Sequence, residues 1–449
     1  MRLNRLLYPL LLLLLISLNV SGQKTDSLEE SGVSGQFRTF YMSTFNKDSL
    51  KDFHSLAVGG YLKYTYQFNE SIEAGIAGYL SVNTNVQDLS KPDPTTGKFS
   101  RYELGLYDLN DPSDNFIPIL GELYIRYHKN SHDVKLGRMK VKTPFLNGQD
   151  GRMIPTLIQG IWYKNKSIKR TQIEVGVLNE ISPRSTSGFY SIGKSIGKYP
   201  TGRNENGSKS GYKDNTESDY LIVFNVDHKL TESLKFEIWN YYTDNVFNAF
   251  YFKPTYEFKN NKTAISFEWL NQLRVGEGGN PIDSLRYFTP SKSNIVGLQI
   301  SHKIGKGKFS IAYDYIFPDG RFLFPREWGR EFLFSFQKRE RTEGFANNHA
   351  IVLTYQRKIV SGKNVFNTTI SAGRHIRPTV TDPELNKYAM PDYTHVNLDV
   401  FYSNKSLKGF KPEMLLTWKP GSGNYPDNPN YIINKVDMFQ VNFVLNYNF

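Results

Sequence analysis

The sequence predicts an all-β fold, a transmembrane antiparallel up-and-down β-barrel of about 18 strands, and three features carry that prediction. Apolar and polar residues alternate with a period of two along many segments. Tight turns alternate with long polar connections, as on the two rims of a barrel that crosses an outer membrane. Aromatic residues make up 14% of the chain, with 29 Tyr and 31 Phe, and such barrels carry aromatic girdles at both interfaces.

At the start, Arg2 and Arg5 precede an almost unbroken apolar run from Leu6 to Leu18 and the small residues Ser21 and Gly22. This predicts a secretory signal peptide over residues 1–22 and one barrel domain over residues 23–449. The run is shorter than the roughly 20 apolar residues a membrane-spanning helix needs. No plug-sized segment precedes the first strand near Gly35, which argues against a TonB-dependent transporter. Mean hydropathy is −0.48, compatible with a barrel because only alternate residues face lipid.

Without cysteine, stability must come from a closed ladder of backbone hydrogen bonds, and a Cys-linked lipid anchor is excluded. The formal charge of +12 falls to +10 once Arg2 and Arg5 leave with the signal. These charges are spread along the chain rather than gathered in one basic block, so they read as lumen and loop residues and not as a nucleic-acid surface.

The strands follow in order. Ile173, Val175 and Val177 alternate with Gln172 and Glu174; Phe309, Ile311, Tyr313 and Tyr315 with Ser310 and Asp314; Val396, Leu398 and Val400 with Asn397 and Asp399. The last strand is the clearest: Phe439, Val441, Phe443, Leu445, Tyr447 and Phe449 share one face, and Gln440, Asn442, Asn446 and Asn448 the other. A soluble sandwich edge would alternate in the same way. Tight turns are expected at Asn69-Glu70, Asn130-Ser131, Asn165-Lys166, Thr231-Glu232, Asn260-Asn261, Lys306-Gly307, Ser361-Gly362 and Lys405-Ser406. Long connections are expected over 83–118, 142–156, 179–217, 274–293, 318–346, 374–393 and 419–435, with a weak break between Thr243 and Asn248. A barrel of 16–18 strands leaves an aqueous channel rather than a packed core, so passage of solute is the default function.

Several motifs are set aside. Gly188 to Ser195 fits the phosphate-loop pattern, but that loop needs a buried strand feeding a helix, and no helical pattern follows. His128 and His132 bracket a turn instead of sharing a helical face, and Asp214, Glu217 and Asp219 lack the spacing of a calcium loop. No His lies in a recognisable catalytic setting, so an enzyme is not expected, and neither a metal nor a cofactor. Two segments stand out as dense in arginine with acids nearby. The first runs from Leu136 to Gly160 and holds Asp150 and Arg152; the second runs from Phe324 to Gly344 and holds Arg326, Arg330, Arg339 and Arg341. Guanidinium groups paired with acids either hold a loop rigid or face the solute.

The first of these segments, with Gly137-Arg138-Met139, Thr143-Pro144-Phe145-Leu146, Asp150-Gly151-Arg152-Met153 and Gly160, resembles the OprD family of outer-membrane porins. Trp239 to Val246 and Arg326 to Gly344 resemble versions of that family from Bacteroidetes. The resemblance implies a barrel, assembled as a homotrimer, whose pore is narrowed by inward-folded loops and lined by basic residues. It also implies that small, often carboxylate-bearing nutrients pass by selective diffusion, and that the terminal aromatic Phe449 is read by the barrel-assembly machinery. Loops 142–156 and 318–346 become the constriction candidates. Strand parity adds a separate list: Arg38, Lys63, Arg126, Lys135 and Arg274 as a basic track, with Glu122, Glu174, Glu268, Asp314 and Asp399 as acidic counterparts. The expected partners are outer-membrane lipid, the assembly machinery and a small solute. A surface adhesion barrel and an outer-membrane hydrolase are the alternatives.

Overall fold

The computed structural model describes residues 31–148, 152–259 and 262–449, so the expected signal peptide and Asp150 lie outside the described residues. Eighteen strands form the wall. In chain order they are β1 (Gly32–Phe45), β2 (Phe53–Asn69), β3 (Ile72–Asn83), β4 (Phe116–Lys129), β5 (His132–Met139) and β6 (Leu157–Asn165). Next come β7 (Thr171–Ser182), β8 (Leu221–Lys229), β9 (Leu234–Thr243), β10 (Phe247–Glu257), β11 (Thr263–Arg274) and β12 (Lys292–Ile304). The last six are β13 (Gly307–Ile316), β14 (Asn348–Ser361), β15 (Asn364–Ile376), β16 (Asp392–Asn404), β17 (Phe410–Lys419) and β18 (Met438–Asn448). Each pairs antiparallel with the next, and β18 closes onto β1 with Phe37 opposite Tyr447. Closure leaves no free edge and satisfies the backbone where no water can.

The short connections fall at or within one residue of the expected dyads, at 70–71, 130–131, 305–306 and 362–363, and as longer turns at 166–170, 230–233 and 405–409; Asn260-Asn261 lies outside the described residues. Asn130 and Gly362 adopt φ of 53° and 58°, the left-handed conformation a two-residue hairpin requires. The opposite rim carries connections 84–115, 140–156, 183–220, 275–291, 317–347, 377–391 and 420–437, and also two short ones, 46–52 and 244–246. The weak break thus becomes a three-residue link.

Exposure separates a membrane barrel from a sandwich. In β18 the polar face is the buried one: Gln440 is 0% exposed, whereas Tyr447 keeps 53%. A soluble sheet would bury its rings and expose its amides. Exposed rings gather near both rims, with Tyr66, Phe68, Tyr127, Tyr256 and Phe449 at the turn side and Phe45, Phe116, Tyr220, Trp418 and Phe439 at the loop side. Those are the positions of interfacial girdles. Inside, the loop half of the lumen is packed: Phe145 meets Tyr251 and Phe324, each at 5.3 Å between ring centroids, and Trp328 is fully buried beside Phe247.

Candidate functional site: a lumen narrowed by inward loops

Loop 317–347 leaves the wall at β13, and most of its residues from 321 to 346 are buried within the barrel, the others half-buried. At one foot the Phe334 and Ser335 amides donate to Glu268 (2.6 Å) and Asp314 (2.7 Å). It then runs along the lumen to the wall formed by β15, β16 and β18. Gln337 donates to the Ser371 hydroxyl at 2.9 Å, Lys338 meets Asp399 at 2.8 Å, and Arg339 donates to Asn442. Glu340 is clamped by Arg377 at 2.8 Å and Lys419 at 2.9 Å. Burial alone would raise the Glu340 carboxyl, but Lys419, Arg377 and the neighbouring His395 and His375 hold it well below the usual carboxylate range.

Other loops lock onto this strap. Phe332 N–H donates to the Pro144 carbonyl at 3.0 Å, and Asn147 N–H to the Trp328 carbonyl at 3.1 Å, which fixes loop 140–156. The Gly197 and Tyr199 amides of loop 183–220 both donate to Glu327 at 2.9 Å. From loop 377–391, Lys387 pairs with Glu343 at 2.9 Å and Tyr388 donates to the same carboxylate at 2.6 Å. The phosphate-loop pattern is absorbed here as well. Ile192–Ser195 makes one helical turn, and the Ser195 hydroxyl accepts from the Trp328 indole at 2.8 Å.

The arginine candidates of this loop are largely engaged within the protein. Arg326 lies 3.9 Å from Glu343 and stacks over Tyr388 at 4.7 Å; Arg341 donates to Glu331 at 2.9 Å. Arg330 is buried beside Phe336, and Arg339 is buried where β17 and β18 meet the loop. Arg152 packs against Gly105, and its carbonyl accepts from Arg38 at 2.8 Å, while Arg38 also donates to Asn446 at 2.7 Å.

The strand candidates divide. Lys63 pairs with Glu122 at 2.8 Å, and Glu122 also accepts from Tyr79 at 2.6 Å. Arg126 pairs with Asp133 at 2.7 Å. Lys135 stands 4.0 Å over the Tyr124 ring and forms no ion pair among the described residues. Arg274 departs from the expected track: it ends its strand at the rim, exposed, and donates to the Thr289 carbonyl at 3.3 Å. Glu268 and Asp314 depart from their expected role as a facing acidic wall, because loop 317–347 covers both.

Between the β4–β6 wall and the strap lies a cavity of about 640 Å³. Among the described residues its lining carries Arg126, Lys135, Lys140, Lys142 and Lys164 against Asp133 and Glu174, with Trp162 and Phe332 supplying apolar surface. Lys164 pairs with Glu174 at 3.0 Å, and Lys140 reaches Glu122 at 3.5 Å. Glu174, which parity assigns to the lumen, is among these lining residues, and the same parity puts Lys164 on the face of Trp162. Lys140 and Lys142 escaped notice because they follow the last residue of β5. A donor cluster of Glu340, His375 and His395 lies within 4.8 Å. Lys419 and Arg377 touch the same carboxylate, and two fixed cations there oppose a divalent ion.

A closed barrel with a ring-rich outer face and a polar lumen crossed by loops is an outer-membrane channel of the porin class. The sequence matches the family described as outer membrane porin, OprD family, over residues 26–349, and the chain belongs to that family. Solved structures share its fold. OccAB2 of Acinetobacter baumannii aligns at 13% identity and TM-score 0.68, covering 95% of this chain and 99% of that one. OccK8 (OprE) of Pseudomonas aeruginosa aligns at 14% and 0.68 over 95% and 99%. OpdK of Pseudomonas aeruginosa, solved with vanillate, aligns at 14% and 0.69 over 94% and 100%. A search of curated proteins finds no match.

Proposed function

We propose that this outer-membrane porin selects small carboxylate-bearing solutes and passes them down their gradient without covalent chemistry. The observation that carries the reading is the cavity lining, where five cations face two acids among the described residues. Lys135 and Lys142, which form no ion pair among the described residues, remain as surplus positive charge that lowers the barrier for an anion, and Lys140 shares Glu122 with Lys63. Trp162 and Phe332 add apolar contact for an organic body, and vanillate, held by a structural neighbour, is an aromatic carboxylate.

In this reading Lys63, Arg126 and Lys135 line the path with Glu122, and Arg38 stands at its margin. Arg152, Arg326, Arg330, Arg339 and Arg341, together with Asp150, Glu268 and Asp314, frame the constriction. Arg274 serves the rim. The signal peptide is removed near Gly22, the barrel-assembly machinery recognises the C-terminal strand, and three copies form the unit. The segments around Trp239 and Arg326 support an origin in Bacteroidetes. Deleting Phe449 should lower insertion while leaving the conductance of inserted channels unchanged.

The test is liposome swelling across a panel of organic acids, sugars and dipeptides of matched size. Faster entry of acids supports the proposal, and equal or slower entry than sugars refutes it.

A further inference from the structure

Glu268 of β11 and Asp314 of β13 are separated by one strand, and the residue in register with both is Gly297 of β12. A Cβ added at Gly297 would lie 2.1 Å from Asp314 Oδ1 and 2.7 Å from Glu268 Oε1, so the two carboxyls fold over the glycine and occupy the space of its missing side chain. Glu268 is 0% and Asp314 1% exposed. Among the described residues neither forms an ion pair, and the one further titratable group bonded to them is Tyr251, which donates to Glu268 Oε2 at 2.6 Å. The remaining bonds come from the loop: Phe334 N–H to Glu268 Oε1 and Ser335 N–H to Asp314 Oδ2. Asp314 Oδ1 is buried without a hydrogen-bond partner.

Two buried carboxyl groups folded over one glycine, with no cation paired to them among the described residues, cannot both be ionised. A single proton placed between Asp314 Oδ1 and the Glu268 carboxyl replaces the repulsion with a hydrogen bond and satisfies the orphaned oxygen. We propose that Glu268 and Asp314 share one proton and form a latch that holds loop 317–347 against the β11–β13 wall, releasing it when that proton is lost. The proton leaves to solvent base. Two adjacent buried charges then remain, which must separate or take up water, and the amides of Phe334 and Ser335 move with their acceptors. The latch rests on this loop narrowing the lumen, whereas the shared proton does not.

The experiment therefore has two arms on the refolded full-length barrel. Infrared spectroscopy should show a protonated-carboxyl band at neutral pH that disappears on alkaline titration and is absent in Glu268→Gln and in Asp314→Asn. Single-channel recording should show open-channel noise rising several-fold over the same alkaline range in the wild type. Glu268→Gln keeps one carbonyl oxygen to accept from Phe334 N–H, presents an amide N–H that the Tyr251 hydroxyl oxygen can accept, and removes the second charge, so its noise should stay flat with pH. An unchanged infrared band in both variants overturns the shared proton. A band that behaves as expected while wild-type noise ignores pH, or while Glu268→Gln retains the alkaline rise, overturns the latch. If the barrel conducts nothing at any pH, the porin reading fails and the infrared arm still decides the proton.

Discussion

The two sides of this lumen use the same residue types to opposite ends. On the β4–β6 side, Lys135 and Lys142 face a cavity and form no ion pair among the described residues, while Lys140 reaches Glu122 at 3.5 Å. On the side covered by loop 317–347, Glu340 lies between Arg377 and Lys419, Glu343 meets Lys387, and Arg341 meets Glu331. Charge on the first side is left available to a solute. Charge on the second is spent on holding a loop inside a membrane barrel. Arginine density in a loop is therefore a sign of folding, and solitary lysines on a wall are the better sign of selectivity.

The strongest way to break this contrast is to remove the clamp. Glu340→Ala leaves Arg377 and Lys419 buried without their acid, at a cost of about 3–5 kcal/mol. A lower denaturant midpoint and a larger single-channel conductance are expected. Acid should reach the same foot, because a carboxyl held below its ordinary value lends stability above the unfolded pKa of about 4.3, which is lost as pH falls through the folded value. Noise at acidic pH should rise in the wild type and shrink in a Glu340→Gln variant that still folds. This foot loosens in acid, whereas the Glu268–Asp314 foot loosens in base.

Smaller effects sharpen the other half. Lys135→Gln or Lys140→Gln each removes one exposed-side charge, worth about 0.5–1 kcal/mol or a two- to fivefold fall in anion-to-cation permeability ratio. Arg330→Ala and Arg152→Ala should also alter anion selectivity, but by less than Lys135→Gln, since both side chains are packed among loops. Unchanged reversal potentials in both would leave these arginines with a purely structural role. Arg274→Ala should fall within about 0.5 kcal/mol of the wild type in stability, with no change in selectivity.

Much of the barrel was legible because its physics is local. The period of two in β18 and the Asn130 and Gly362 turns follow from residues adjacent in sequence, and they placed both the strands and the rims. The inward loops were legible as regions, from their Arg and Glu density. Which charges meet which was not. Glu340 finds Arg377 and Lys419, and Glu268 finds Asp314, only after β11, β13, β15 and β17 are brought around one lumen. Lys142 was missed for the related reason that a loop residue has no parity to read.

The account's central claim, a basic wall that admits anions beside a self-neutralised loop, is tested most directly by the reversal potential in a salt gradient. The wild type should be anion-preferring, and the Lys135→Gln/Lys140→Gln/Lys142→Gln variant should lose that preference at near-wild-type conductance. A cation-selective wild type, or a triple variant with an unchanged reversal potential, would contradict it.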